Sequence, residues 1–385
     1  MANTRKAGQL TQRTNDSWQI RIFLGRDEKT GKRRYYNETV QGTKKDAQKV
    51  LNEKLSSADK GKLVEKTSLT VQEFLTVWLQ TIAKARVREA TFDSYEYHLT
   101  QYVYEKLGNR KVSDLRTFEI QKHYNEMKAK YSARTIRYVH SIFKNALNKA
   151  VEQRYISDNP CNFVELPKKQ KREINVFSPD EAQRFLEAAK TDKHGIVFEF
   201  ALLTGARPEE YLALKWSDVE FARGTATFQR TLIWRKGGGW YFDEEMKTTL
   251  SRRTIPLPKT LLSKLREHRI KQAEKILKTG EGYERNNLVF ATDEGQPIRY
   301  GNLTKRHFHG ILKTAELGHH RLYSLRHSCA TLLLASGENM KVIQERLGHA
   351  DVNLTLSTYS HVLDGMQAQA SDKLESMFYQ SRKAG

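Results

Sequence analysis

A change of hydrophobic period along the chain most constrains what it can fold into. Near the N terminus Trp18, Ile20, Ile22 and Leu24 alternate with Gln19, Arg21 and Phe23, the period-two pattern of a strand with one buried face. From Phe74 onward apolar residues recur three and four positions apart, as on one face of a helix. Neither a lone sheet nor a lone bundle satisfies both patterns, so separate units are expected. The 385 residues agree with two or three domains at roughly 150 residues each.

In the first unit, the turn Asp27–Lys32 leads to a returning strand, Arg33–Val40. Thr43 with Asp46 then reads as the cap of a helix through Ala47, Val50, Leu51 and Leu55. A Ser/Gly/Lys-rich stretch, Ser56–Lys62, separates it from Thr70-Val-Gln-Glu73, a capping box before Phe74, Val77, Trp78 and Ile82. Two more helical faces follow, Phe92, Tyr95, Leu99 and Tyr102, then Ile136, Val139, Phe143, Ala146, Leu147 and Ala150. After the positive linker Pro167–Arg172, Ser178-Pro-Asp-Glu181 restarts helical structure. Thr225–Trp234, Gly237–Gly239 and Arg253–Leu257 then mark a strand-rich interval. The expected fold class is therefore multidomain, mainly α with small β-sheets. Its parts are an N-terminal β-sheet plus helix over 1–65, an all-helical domain over 66–167, and a mixed α+β domain over 168–385 with linker and C-terminal tail.

Charge narrows the function. Lys and Arg number 66 against 45 Asp and Glu, a net +21 on a chain that is 38% hydrophobic. That much core material excludes a disordered basic tail, so the charge lies on folded surface and calls for an anionic partner. Nucleic acid is the first candidate, an anionic membrane surface the second. Residues 1–65 hold 15 Lys and Arg against 8 Asp and Glu, and Arg134, Arg137, Lys144 and Lys149 fall largely outside the helical stripe at 136–150. MANTRKAGQL lacks the apolar core of a signal peptide, and no apolar run approaches 18 residues. The two cysteines, Cys161 and Cys329, form no C-x-x-C, which fits a reducing cytoplasm. NTPase, zincin and hydrolase motifs are absent. Seven of the 12 histidines fall between His307 and His361, yet at poor ligand spacing, so no metal is expected.

Four segments place unlike polar residues at helix boundaries. In Leu203-Thr-Gly-Ala-Arg-Pro-Glu-Glu210, Gly205 ends a helix and Pro208 starts the next, fixing Arg207 at a corner within reach of Glu210. Glu245–Pro256 puts Lys247 in a hairpin before a strand. Tyr323–Thr331 puts Arg326 at the head of an apolar helix. In Leu347–His361, Gly348 ends a helix and exposes His349, with Tyr359 ten residues on. Taken singly, each is an ordinary turn or surface residue. Together they have one chemical meaning. Two arginines hold the nonbridging oxygens of a phosphodiester and stabilise its transition state. A histidine hydrogen-bonds the same phosphate or helps remove the tyrosine proton, a lysine protonates a departing 5′ oxygen, and a tyrosine attacks phosphorus.

The order and wording of these segments resemble the tyrosine recombinase family, the phage integrases. TGARPEEYLAL is similar to its first arginine box and MKTTLSRRTIPL to its lysine hairpin. LRHSCATLLL is similar to its second arginine box and LGHADVNLTLSTYSHV to its histidine–tyrosine box. The helical part resembles the family's core-binding (SAM-like) domain, and residues 1–65 resemble the arm-type DNA-binding domain of integrases from temperate phages and conjugative transposons. The resemblance implies that Arg207 and Arg326 bind the scissile phosphate, Lys247 is general acid, His349 assists, and Tyr359 forms a 3′-phosphotyrosyl link. It implies a site-specific recombinase that integrates and excises a mobile element without ATP, cofactor or metal. Its partners would be double-stranded DNA at core-type and arm-type sites, its own copies in a homotetramer, an excisionase and a host DNA-bending protein, with no membrane. The cytoplasm, at the nucleoid, would be its place. In one departure, the second arginine box carries Tyr323 where the family usually has histidine, with His327 nearby. The rival readings are type IB topoisomerase-like relaxation and a non-enzymatic DNA-binding protein.

Overall fold

The alternation around Ile20 builds the middle strand of a three-stranded antiparallel sheet, β1 (Gly8–Thr14), β2 (Ser17–Arg26) and β3 (Arg33–Gln41), in that order. The computed structural model describes residues 8–26, 31–59, 63, 67–169, 175–235, 237–245, 252–349, 371–372 and 374–378. They fall into two compact units, Met1–Lys171 and Arg172–Gly385.

In the first unit, Ile20 and Ile22 are fully buried and cluster with Leu51 and Ala58 of α1 (Lys44–Asp59). The predicted cap is present: the Thr43 N–H donates to Asp46 Oδ2 at 3.0 Å. Strand β1 was not legible from its residues, because GQLTQRT holds one large apolar side chain, Leu10. Backbone pairing orders it, with Gly8 opposite Ile22 and Leu10 opposite Ile20. On the face turned away from Ile20, Gln19, Arg21 and Phe23 pair across with Thr39, Asn37 and Tyr35. There the Arg21 guanidinium lies 3.8 Å from the Tyr35 ring centroid, and Arg13 Nε donates to Gln19 at 2.9 Å.

The helical part of this unit contains α2 (Val71–Trp78), α3 (Glu89–Leu99), α4 (Thr117–Lys128) and α5 (Ala133–Glu152). Thr70 and Glu73 form the expected reciprocal cap, at 2.8 and 3.2 Å. All six apolar residues of the α5 stripe are fully buried, so this face is core.

In the second unit, Ser178 and Glu181 cap α6 (Pro179–Ala189) as expected. Helix α7 (Gly195–Thr204) buries Val197, Phe198, Phe200, Ala201 and Leu202 at the centre of the core, and α8 (Pro208–Tyr211) follows. Strands β4 (Val219–Glu220), β5 (Thr225–Phe228) and β8 (Arg253–Pro256) form one small sheet in the order β4-β5-β8. The strand-like run Thr225–Trp234 is broken, because Gln229 and Arg230 both turn to the buried Asp218 carboxylate. Beyond the break, β6 (Thr231–Trp234) pairs with β7 (Trp240–Asp243) as a separate hairpin. Helices α9 (Lys259–Thr279), α10 (His309–Thr314), α11 (Ser324–Ala335) and α12 (Met340–Leu347) follow in the same unit. Among the described residues no helix is long and apolar enough to cross a membrane.

Candidate active site

Two glycines set the corners of the site. Gly205 caps α7 at φ 66°, and Gly348 caps α12 at φ 65°, both in the left-handed region that glycine enters without strain. A Cβ on Gly205 would lie 2.7 Å from Leu347 Cδ2 and 3.1 Å from Cys329 Sγ. The ends of α7 and α12 therefore approach closely, and their last carbonyls converge.

Those carbonyls meet guanidiniums. Arg326, in the first turn of α11, is 2% exposed and donates to Gly205 O and Leu347 O, each at 2.7 Å. Arg207 stands before Pro208 in extended conformation, ψ 149°, as a residue preceding proline prefers. Its Nη1 donates to Glu210 Oε1 at 2.7 Å and its Nη2 to Gly348 O at 3.3 Å. The carbonyls at a helix C-terminus lack intrahelical partners and carry the negative end of its dipole, so the arginines satisfy both needs. About 29% of the Arg207 side chain stays exposed, leaving it open to a ligand.

Arg253 completes the cluster; its place in the strand Arg253–Leu257 and in the segment MKTTLSRRTIPL assigns it no role at the site. It donates from Nε to Arg346 O at 2.6 Å and from Nη2 to Glu210 Oε2 at 2.8 Å. A signal was present: period two puts Arg253 on the face of β8 that buries Ile255, an unusual place for an unpaired charge.

His349 corrects an expectation. Gly348 does end the helix, but His349 is 8% exposed rather than bared. Its backbone N–H donates to Gln344 O at 3.1 Å, and Gln344 Nε2 donates to His349 O at 3.0 Å, folding the residue back on the helix end. Burial, then the charges of Arg326, Arg207 and Arg253, push its pKa down to about 3. The imidazole is neutral at pH 7.

Glu210 anchors the group. Burial works to raise its pKa, but Arg253, with Arg207 and Arg326, brings it down to about 2. For Arg207, burial opposes the charge, yet the Glu210 ion pair carries its pKa upward. Burial and the Arg207 charge lower Arg326 to about 10, still cationic at neutral pH. Arg207 and Arg253 thus share one buried carboxylate, with the Arg326 charge and a neutral imidazole nearby, an arrangement suited to an anion with several oxygens. Tyr323 neighbours Arg207, whose pKa it helps raise. Its ring centroid lies 5.2 Å from that of His327, whose pKa falls to about 4 through burial and then Arg326.

The structure brings together Arg207, Arg326 and His349. Lys247 and Tyr359 lie outside the described residues. Among the described residues, no group of three or more His, Cys, Asp or Glu side chains is arranged to hold a metal ion. A cavity of about 550 Å³ lined by Lys190, Lys193, Glu199, Lys264 and Lys275 shares no residue with the arginine cluster.

Comparison with known proteins matches residues 175–366 to the phage integrase family and residues 70–128 to the phage integrase N-terminal SAM-like domain. The chain is 31% identical over 381 residues to a XerC-like tyrosine recombinase of Caldanaerobacter subterraneus subsp. tengcongensis, covering 94% of this chain and 96% of the relative. It is 23% identical to the ICEBs1 integrase of Bacillus subtilis over 94% of this chain and 98% of that one. Among solved structures, the Tn1549 transposon integrase in complex with transposon right end DNA superposes with TM-score 0.68 at 21% identity, covering 79% of this chain and 99% of that one. A lambda integrase tetramer bound to a Holliday junction gives TM-score 0.58 at 19% identity, covering 89% and 95%.

Proposed function

The chain belongs to the phage integrase family of tyrosine recombinases, and on that premise we propose that its arginine cluster holds the scissile phosphate of a DNA strand. As a family member it is a DNA strand-transferring enzyme of site-specific recombination. Relatives named recombinases and integrases favour that activity over topoisomerase-like relaxation or mere DNA binding.

Arg207 and Arg326 bind the nonbridging oxygens and stabilise the charge that grows on them in the transition state. His349, neutral and seated beside them, donates a hydrogen bond to the same phosphate. Tyr359, its phenolic proton passing to water, attacks phosphorus through its oxygen and displaces the 5′ oxygen, which Lys247 protonates. The product is a 3′-phosphotyrosyl ester that conserves the energy of the broken bond, so rejoining draws on no ATP. The observation that carries this reading is the grouping of Arg207, Arg326 and His349, drawn from three separate segments, around the ends of α7 and α12.

The three-part division extends the proposal to DNA. Residues 1–65 take an arm-type site through the polar face of the sheet, where Arg13, Arg21 and Asn37 stand exposed. Residues 66–167 and 168–385 each contribute to binding a core-type site. The DNA-bound Tn1549 integrase supports a DNA partner for this chain, and the lambda integrase tetramer on a Holliday junction supports a homotetramer joining two DNA sites. An excisionase and a host DNA-bending protein would set direction, in the cytoplasm at the nucleoid.

The test is a nicked suicide duplex built on the junctions of the element that encodes the chain. Wild-type protein yields a covalent protein–DNA adduct. Tyr359→Phe binds the same duplex with unchanged affinity and forms none; an adduct of undiminished yield from that variant defeats the assignment.

A further inference from the structure

We infer that Arg253 is a positioning residue for the reaction, setting the Arg207 guanidinium through Glu210. The inference rests on the recombinase reading above. Arg253 opens β8 directly after the segment that contains Lys247. Its side chain is 7% exposed, with the guanidinium carbon 4.7 Å from the Phe228 ring centroid.

All three of its nitrogens are engaged. Nη1 and Nη2 grip the Glu210 carboxylate as a fork, at 3.1 Å to Oε1 and 2.8 Å to Oε2, while Nε holds Arg346 O at 2.6 Å. The same two carboxylate oxygens serve Arg207, Oε1 taking its Nη1 at 2.7 Å and Oε2 its backbone N–H at 2.8 Å. Because a planar fork fixes the plane of the carboxylate it grips, Arg253 fixes the direction in which Glu210 offers Oε1. The second partner of Arg207 is Gly348 O, two residues beyond the carbonyl that Arg253 holds. These two supports of Arg207 are thereby tied to one buried side chain, while Tyr323 is a third that is not.

Lysine at 253 keeps the charge but is a compact donor without the fork, so it cannot hold both carboxylate oxygens and Arg346 O together. A catalytic group displaced by about 1 Å loses roughly 10²-fold in rate.

The test is a double-mutant cycle on single-turnover adduct formation with the nicked suicide duplex. DNA affinity and the thermal midpoint are measured on every variant. Arg253→Lys slows adduct formation by roughly 10²-fold while leaving DNA affinity unchanged. In an Arg207→Lys background, where the fork of Arg207 is already gone, the same change costs almost nothing, because residues acting as one unit are not additive. A purely structural arginine would cost as much in both backgrounds, and equal losses overturn the inference. Should Arg253→Lys lower the thermal midpoint enough to confound the cycle, Glu210→Gln takes its place, with the same pattern expected and the same equality overturning it. Adduct from wild-type protein together with equal losses removes this inference alone. No adduct from wild-type protein removes the recombinase reading and this inference with it.

Discussion

On the sheet of the first unit, Arg21 lies in the open above Tyr35 and Arg13 leans on Gln19. In the second unit, Arg326 is 2% exposed with both terminal nitrogens bonded to helix-end carbonyls, and Arg253 is nearly as enclosed. The residue type is the same and the physical use is opposite. Stacking on a ring braces the flat face of a guanidinium and leaves its donors for a partner. Burial against carbonyls commits donors to the protein and fixes position. The first arrangement suits recognition of an extended polyanion, the second the stabilisation of charge at one point.

The largest effect that separates the two uses is catalytic. Arg207→Ala is expected to slow adduct formation by about 10²–10³-fold, the typical cost of removing one donor to a developing oxyanion, with DNA affinity little changed. If single-turnover cleavage stays within a few-fold of wild type, the buried cluster is not the reaction centre.

Proton binding provides a second contrast. His349 is held neutral down to about pH 3, below its ordinary value of about 6.5. A buried neutral imidazole contributes stability fully above pH 6.5, and that contribution falls as pH drops toward 3. Glu210 acts in the same sense lower down, its stabilisation being lost between about 4.5 and about 2. In the DNA-free protein, the ring resonance assigned to His349 by its absence from His349→Gln should not move between pH 8 and 5. A midpoint near 6.5 would show an imidazole open to water and break the contrast with the exposed sheet.

The smallest effect belongs to the sheet. Arg21→Ala should weaken binding to an arm-type duplex by about 1–3 kcal/mol if the side chain reads a base edge, and leave adduct formation on a core-only duplex unchanged. Slower cleavage of that duplex would erase the division of labour.

How much of this was legible in the sequence depended on how local the determinants are. The caps Thr70–Glu73 and Ser178–Glu181, the α5 stripe and the Gly205–Pro208 corner are complete within a few residues, so spacing alone reveals them. Strand β1 carries one apolar anchor and owes its order to a neighbour's backbone. Arg253 is intelligible only beside Glu210, 43 positions earlier. Gly348 announces the end of a helix but not what covers the residue after it, which is why His349 was expected in the open.

The contact between Gly205 and Leu347 has a consequence in time. The carbonyl that aims one side of Arg326 is present once residue 205 has folded, but the other belongs to Leu347, made 142 residues later. A chain still emerging from the ribosome, or one clipped before α12, lacks the second carbonyl that positions Arg326. Setting that guanidinium thus waits on completion of the domain, through the packing of one glycine that has no room for a methyl group.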